Sequence, residues 1–174
     1  MRIIAGNLKG ATFNSSSHAT HPMSEKMRGA LFNSLGDISE LNVLDLYAGS
    51  GALSFEAISR GANKVIAVES NRRAQKDIES SIKNLKIENI NLIRTSVKSW
   101  LSKDTNNYEV ILCDPPYDQL EPDVIDLVSK NLIENGVLVL SWPPKQKIPE
   151  AELLEIIDNK SYGDSTLVFY KNNR

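Results

Sequence analysis

The chain has 174 residues, enough for one ordinary domain, and its 41% apolar and 24% charged residues are the composition of a globular protein. Twenty basic against twenty-two acidic side chains leave a net charge of −2, which excludes holding a polyanion by bulk charge but not through a localised patch. The single cysteine, Cys113, excludes an internal disulfide and a four-thiolate zinc site.

The opening Met-Arg-Ile-Ile-Ala-Gly has no signal-peptide core, and the longest apolar runs are about six residues, far short of a membrane span. The expectation is a cytoplasmic protein with no membrane contact. Residues 1–20 alternate loosely and end in Ser15-Ser16-Ser17-His18, which reads as a short strand or extended arm and then a loop. Ser24 is placed to cap a helix over 25–35, with Met27, Leu31 and Leu35 on one face, Phe32 beside them and Gly36 as the stop. The chain then alternates. Strands are predicted at 42–47, 64–69, 90–93, 108–113 and 136–141, and helices at 51–60, 71–86 and 121–132. In the second of these helices Ala74, Ile78, Ile82 and Leu85 face inward, and in the third Val124, Leu127 and Val128. Strands that are apolar throughout and separated by helices predict a parallel sheet covered on both faces. Two further strands, 153–157 and 166–170, have no helix between them and a turn near Tyr162-Gly163-Asp164, so they should pair antiparallel at one edge.

Charge is distributed unevenly. Residues 1–36 are net +3, 37–59 net −4, 60–103 net +6, 104–158 net −9 and 159–174 net +2. A polyanion would meet the first and third segments and avoid the fourth. Solvated helix faces explain such runs equally well on charge alone.

Three motifs carry chemistry. In Val43-Leu44-Asp45-Leu46-Tyr47-Ala48-Gly49-Ser50-Gly51 a strand enters a glycine-rich turn and then a helix, at the strand end where open α/β sheets bind ligands. Ser54 stands where the dinucleotide fingerprint has its third glycine, which favours a nucleoside over a pyrophosphate. Glu69 ends the next strand, 18 residues after Gly51, where a carboxylate accepts from ribose hydroxyls. Asp114-Pro115-Pro116-Tyr117 follows the fourth strand. It offers carboxylate acceptors, a stiff backbone and a flat ring, a set that suits a planar base bearing an amine. An exocyclic amine is a poor nucleophile, and acceptors on its protons keep its lone pair available to an electrophilic methyl group. Two adjacent N–H donors of guanine suit a carboxylate, whereas the donor and acceptor of adenine suit an amide. Cys113, Trp100 and Trp142 read as packing groups and His18 and His21 as loop residues.

These residues resemble an S-adenosylmethionine-dependent methyltransferase of the Rossmann-like class, and more narrowly the RsmD family, which methylates the N2 amine of a guanine in 16S ribosomal RNA. The likeness covers nearly the whole chain: Arg2-Ile3-Ile4-Ala5-Gly6 with Gly10, His21-Pro22-Met23 through Asn33, Asp45 through Ala62, and Asp114 to Tyr117. It implies a single α/β domain at 24–174 after an N-terminal arm at 1–23, with a seven-stranded, mostly parallel sheet, an antiparallel C-terminal edge hairpin and helices on both faces. By this resemblance Asp114, Pro115, Pro116 and Tyr117 hold the target amine. The cofactor S-adenosylmethionine is met by Asp45, Ala48, Gly49, Gly51, Glu69, Ser96 and Val97. RNA is met by Arg2, Lys9, His21 and Arg28, with Arg72, Arg73 and Lys76 nearby. The partner implied is 16S ribosomal RNA or the small subunit, acted on by a monomer without a metal.

His21 and Met23 depart from the family's usual Arg and Thr, and Ser96 from an acidic residue that meets the adenine. DNA adenine methyltransferases also use Asp-Pro-Pro-Tyr, but no added target-recognition region is present here. A nucleotide- or RNA-binding module without activity is the reading from another class. The arm is expected to contribute little to the core, so that removing residues 1–20 leaves a folded domain. The opposing expectation packs Ile3, Ile4 and Phe13 onto that core.

Overall fold

A computed structural model describes residues 1–15 and 22–174. His18 and His21 lie outside the described residues. Helix α1 (Glu25–Leu35) begins where expected, because the Ser24 hydroxyl accepts from the Met27 N–H, and it stops at Gly36. Strand β1 (Asn42–Leu46), helix α2 (Ala52–Ser59), strand β2 (Lys64–Glu69), helix α3 (Arg72–Leu85) and strand β3 (Ile90–Arg94) follow. The side chain of Asn71 caps α3 by accepting from the N–H groups of Arg73 and Ala74. A short helix that the sequence did not announce, α4 (Val97–Leu101), precedes strand β4 (Tyr108–Cys113) and helix α5 (Val124–Asn131). Strands β5 (Leu132–Trp142), β6 (Leu154–Tyr162) and β7 (Ser165–Asn172) complete the chain.

The seven strands form one sheet in the order β3-β2-β1-β4-β5-β7-β6. The first five are parallel, and β7 runs antiparallel to both β5 and β6. The reversal after β1, where the chain crosses from β3 to β4, opens the crevice in which such sheets take ligands. Among the described residues no helix is long and apolar enough to cross a membrane.

Two cores lie on the two faces of the sheet, and strand alternation sorts side chains between them. Val43, Val65, Val110 and Val139 pack with α1, α2 and α3, whereas Leu44, Ile66, Ile111 and Leu138 pack with α4 and α5. Carried to the strand ends, the same alternation puts Asp45, Glu69, Asp114 and Ser141 on the first face. Four polar groups from four neighbouring strands thus converge at one edge.

The opening segment is part of the first core. Ile3 and Phe13 are buried, and Phe13 packs on Phe55 with ring centroids 5.0 Å apart. The fully buried carboxylate of Glu56 accepts from the N–H of Ile4 (2.9 Å) and of Ala5 (3.1 Å). The expectation that residues 1–20 add little to the core is therefore corrected in favour of the opposing one. Hydrophobic burial and two backbone bonds to a buried charge fix the segment to α2.

Candidate active site

Strand β1 ends in a turn of unusual backbone. Tyr47 has φ +60, Gly49 +56 and Gly51 +79. The left-handed region costs a tyrosine energy that the surroundings must offset. Here the Tyr47 hydroxyl donates to Glu121 (3.1 Å), whose carboxylate also pairs with Lys98 (3.1 Å). The two glycines have different reasons. A Cβ on Gly51 would stand 2.8 Å from the Phe55 ring, so this glycine lets α2 and α3 pack against the turn. A Cβ on Gly49 would meet nothing nearer than the Tyr47 carbonyl at 3.8 Å, so Gly49 faces open space and leaves its backbone approachable.

Glu69 braces this turn. Its Oε2 accepts from the Gly49 N–H (2.7 Å) and its Oε1 from the Asn71 N–H (2.6 Å). Each carboxylate oxygen keeps a further lone pair, so the same group is able to accept from a ribose. The Ala48 N–H donates to the Val68 carbonyl (3.0 Å), and the Ala48 carbonyl accepts from Gly51 (2.7 Å). The backbone of Ala48 therefore shapes the turn.

Asp45 is fully buried, and the Ser54 hydroxyl donates to its Oδ2. The position that breaks the dinucleotide fingerprint is thus the one that partners this acid. Oδ1 of Asp45 has no hydrogen-bond partner among the described residues. Burial, with the charges of Asp114 and Glu69 adding to it, raises the Asp45 carboxyl to about 7 against the Ser54 bond. An unsatisfied buried acceptor among three carboxylates, beside an open glycine, fits a ligand that brings positive charge and donors, as the ammonium and sulfonium of S-adenosylmethionine do.

Ser96, exposed, accepts from the Ser99 N–H (3.3 Å) and caps α4, which leaves its hydroxyl proton to donate. Val97 is buried in the second core.

Asp114 is partly exposed at the end of β4, and Tyr117 is 36% exposed with its hydroxyl 2.7 Å from that of Ser141. Burial raises Asp114 to about 6, with the Ser141 hydroxyl pulling it back. Burial, with the charges of Asp114 and Asp45 adding to it, pushes the Cys113 thiol well above its ordinary value, as befits a packing residue.

The residues assigned to RNA divide. Arg2 is exposed and pairs with Glu25 (3.1 Å), and Lys9 is exposed. Arg28 is corrected: it is fully buried, donates to the Arg2 carbonyl (2.7 Å) and lies 3.6 Å from Glu56. No phosphate reaches it. Its partner, 28 residues away, is invisible in the local sequence. Ser54, Glu121 and Ser141 were missed because their partners are set by register and loop path.

Comparison with known proteins agrees with this geometry. A family model described as "Conserved hypothetical protein 95" matches residues 1–171. Ribosomal RNA small subunit methyltransferase D of Buchnera aphidicola subsp. Acyrthosiphon pisum is 38% identical over 152 residues, 84% of this chain and 80% of that protein. The chain belongs to the RsmD family. The solved structure of yhhF from Escherichia coli matches with a TM-score of 0.91 at 25% identity, over 99% of this chain and 98% of that one. SMU.776, solved in complex with SAH, shares the fold with a TM-score of 0.66 at 17% identity, over 84% of this chain and 48% of that one. Membership in the RsmD family makes the chain a methyltransferase.

Proposed function

We propose that this RsmD-family protein methylates the exocyclic N2 amine of a guanine in 16S ribosomal RNA. The observation that carries the reading is the placement of Asp114 beside Tyr117, on the same face and edge of the sheet as Asp45, Glu69 and the Gly49 turn.

The cofactor, when bound, supplies an electrophilic methyl group on a sulfonium. Glu69 and the Gly49 turn would hold the ribose end of S-adenosylmethionine, Ser96 and the backbone of Val97 would border its adenine, and Asp45 would offer the unsatisfied acceptor to its charged end. Asp114 accepts from two adjacent N–H groups of guanine, which aligns the amine and keeps its lone pair free. Pro115 and Pro116 stiffen the loop, and Tyr117 presents its ring as a wall on which the base stacks. As the N–C bond would form and the methyl–sulfur bond break, with its electron pair left on a neutral thioether, the amine would give up one proton, for which Asp114 is the acceptor. The exposed Arg72, Arg73 and Lys76 at the start of α3 border this edge and offer the side from which RNA would enter, with Arg2 also exposed. The substrate places the reaction in the cytoplasm.

The test is incubation with labelled cofactor and, separately, small ribosomal subunits, free 16S RNA and duplex DNA. Label in the ribosomal substrate alone is expected. Label in duplex DNA would favour the adenine-directed reading.

A further inference from the structure

Ser141, the last residue but one of β5, is 2% exposed and has no part in the site assembled from the motifs. Strands β4 and β5 are parallel, with Cys113 opposite Leu140. One step further that register sets Ser141 beside Asp114, on the face that both share with Asp45. The Ser141 hydroxyl is also 2.7 Å from that of Tyr117. A hydroxyl donates one proton and accepts others, so a single arrangement satisfies all three groups. In it the Tyr117 O–H donates to Ser141, and the Ser141 O–H donates to the Asp114 carboxylate.

We propose that Ser141 is a positioning residue for methyl transfer, whose buried hydroxyl ties together Asp114 and Tyr117, the two ends of the tetrapeptide that receives the base. The proposal rests on the methyltransferase reading above. Asp114 and Tyr117 have distinct tasks, accepting N–H bonds and walling the ring, and they are separated by two prolines that cannot donate from the backbone. A loop of this kind needs an anchor from outside itself, and β5 provides it. Asp114 is faced by Asp45 on β1, with Glu69 beyond it on β2, by Cys113 on its own strand, by Tyr117 in its own loop and by Ser141 on β5. Ser141 is the hydroxyl donor that reaches Asp114 from a neighbouring strand rather than from its own strand or loop. Without it, an acid surrounded by other acids takes up a proton more readily and ceases to accept from the amine.

Four proteins, the wild type and the Ser141→Ala, Ser141→Thr and Ser141→Val variants, separate a hydroxyl from a shape. Thr and Val have nearly the same volume, and Thr alone keeps the O–H. For Ser141→Ala, kcat on ribosomal RNA should fall roughly 10- to 100-fold, the worth of a hydrogen bond to a charged group, with KM for the cofactor little changed. The acidic limb of the kcat profile should move to higher pH. Thr should restore most of the rate relative to Val. Independently of turnover, carbon-13 carboxyl NMR of aspartate-labelled protein, with the Asp114 signal assigned through Asp114→Asn, should show its midpoint rising by about one pH unit in Ser141→Ala. An unmoved midpoint overturns the proposal, as does equal activity of the Thr and Val variants. A wild-type protein that transfers no methyl group while the midpoint does move overturns the reaction reading instead, and leaves the hold of Ser141 on Asp114 standing.

Discussion

Asp45 and Asp114 are carboxylates held above their usual range, at about 7 and about 6, chiefly by burial. A raised folded-state value means that the folded protein binds these protons more tightly than the unfolded chain. The stability this contributes is complete below pH 4 and is lost as pH rises through 6 to 7. The cofactor-free protein should therefore lose melting temperature between pH 4 and 7, by on the order of a few kcal/mol in stability, and Asp45→Asn should flatten that slope. The cofactor brings positive charge, so its binding should tighten over the same interval with release of protons, as calorimetry in two buffers would measure. Glu69→Ala removes an acceptor from ribose and from two backbone N–H groups. Cofactor affinity should fall by roughly 10- to 100-fold, and the turn should lose ~1–3 kcal/mol for each N–H left unsatisfied, read from a melt beside a titration. The meeting of Asp45, Glu69 and Asp114 at one edge was legible because each lies at or next to the end of a strand that the sequence marks clearly. Ser54 and Ser141 were not, since a serine in a helix or at a strand end means nothing until register gives it a partner. Arg28 was misread for the converse reason, that a basic residue looks exposed until a buried Glu56 accounts for it.

Among the elements, the opening segment is the largest departure from expectation. Its hold on α2 runs through Glu56, which also pairs with Arg60 (2.8 Å) and neighbours Arg28. Glu56→Ala would leave a buried arginine uncompensated and should cost about 3–5 kcal/mol in denaturant unfolding, with the site residues untouched. Deletion of residues 1–13 should abolish the cooperative melt, and a truncated protein that melts like the full chain would contradict the packing of Ile3 and Phe13. The hydrophobic signal was weak there because only these two positions, ten apart, face the core strongly. Strand β5 begins at Leu132 rather than 136 because Asn135-Gly136 looks like a turn, whereas the structure absorbs it as an irregularity with Asn135 at φ +60 and a register shift opposite Tyr108 and Val110. Strand β6 runs on through Asp158 to Tyr162, polar residues that a sheet edge tolerates because backbone pairing with β7 suffices there. Helix α4, at five residues, is too short to show a period.

Across the whole molecule, the order of the parallel strands brings the acidic loop that begins at Asp114 and the basic start of α3 to the same edge of the sheet from opposite sides. Arg72, Arg73 and Lys76 are exposed there, and Asn71, just before them, donates from its backbone to Glu69. Replacing Arg72 and Arg73 by Glu should weaken RNA binding, leave cofactor affinity within about two-fold, and lower the slope of log affinity against log salt by roughly 0.7 for each phosphate no longer neutralised. The alternation of charge along the chain was plain in the sequence. Which segments share an edge was not, because that depends on the crossover from β3 to β4. The central claim is that this edge aligns a guanine amine through Asp114. Its most direct test is nucleoside analysis of 16S RNA after reaction with the wild type and with Asp114→Ala, beside a cofactor titration of both. N2-methylguanosine is expected from the wild type, none from a variant that still binds cofactor within a few-fold, and no other methylated base from either. Methyl groups on adenine, or turnover by Asp114→Ala near the wild-type rate, would contradict it.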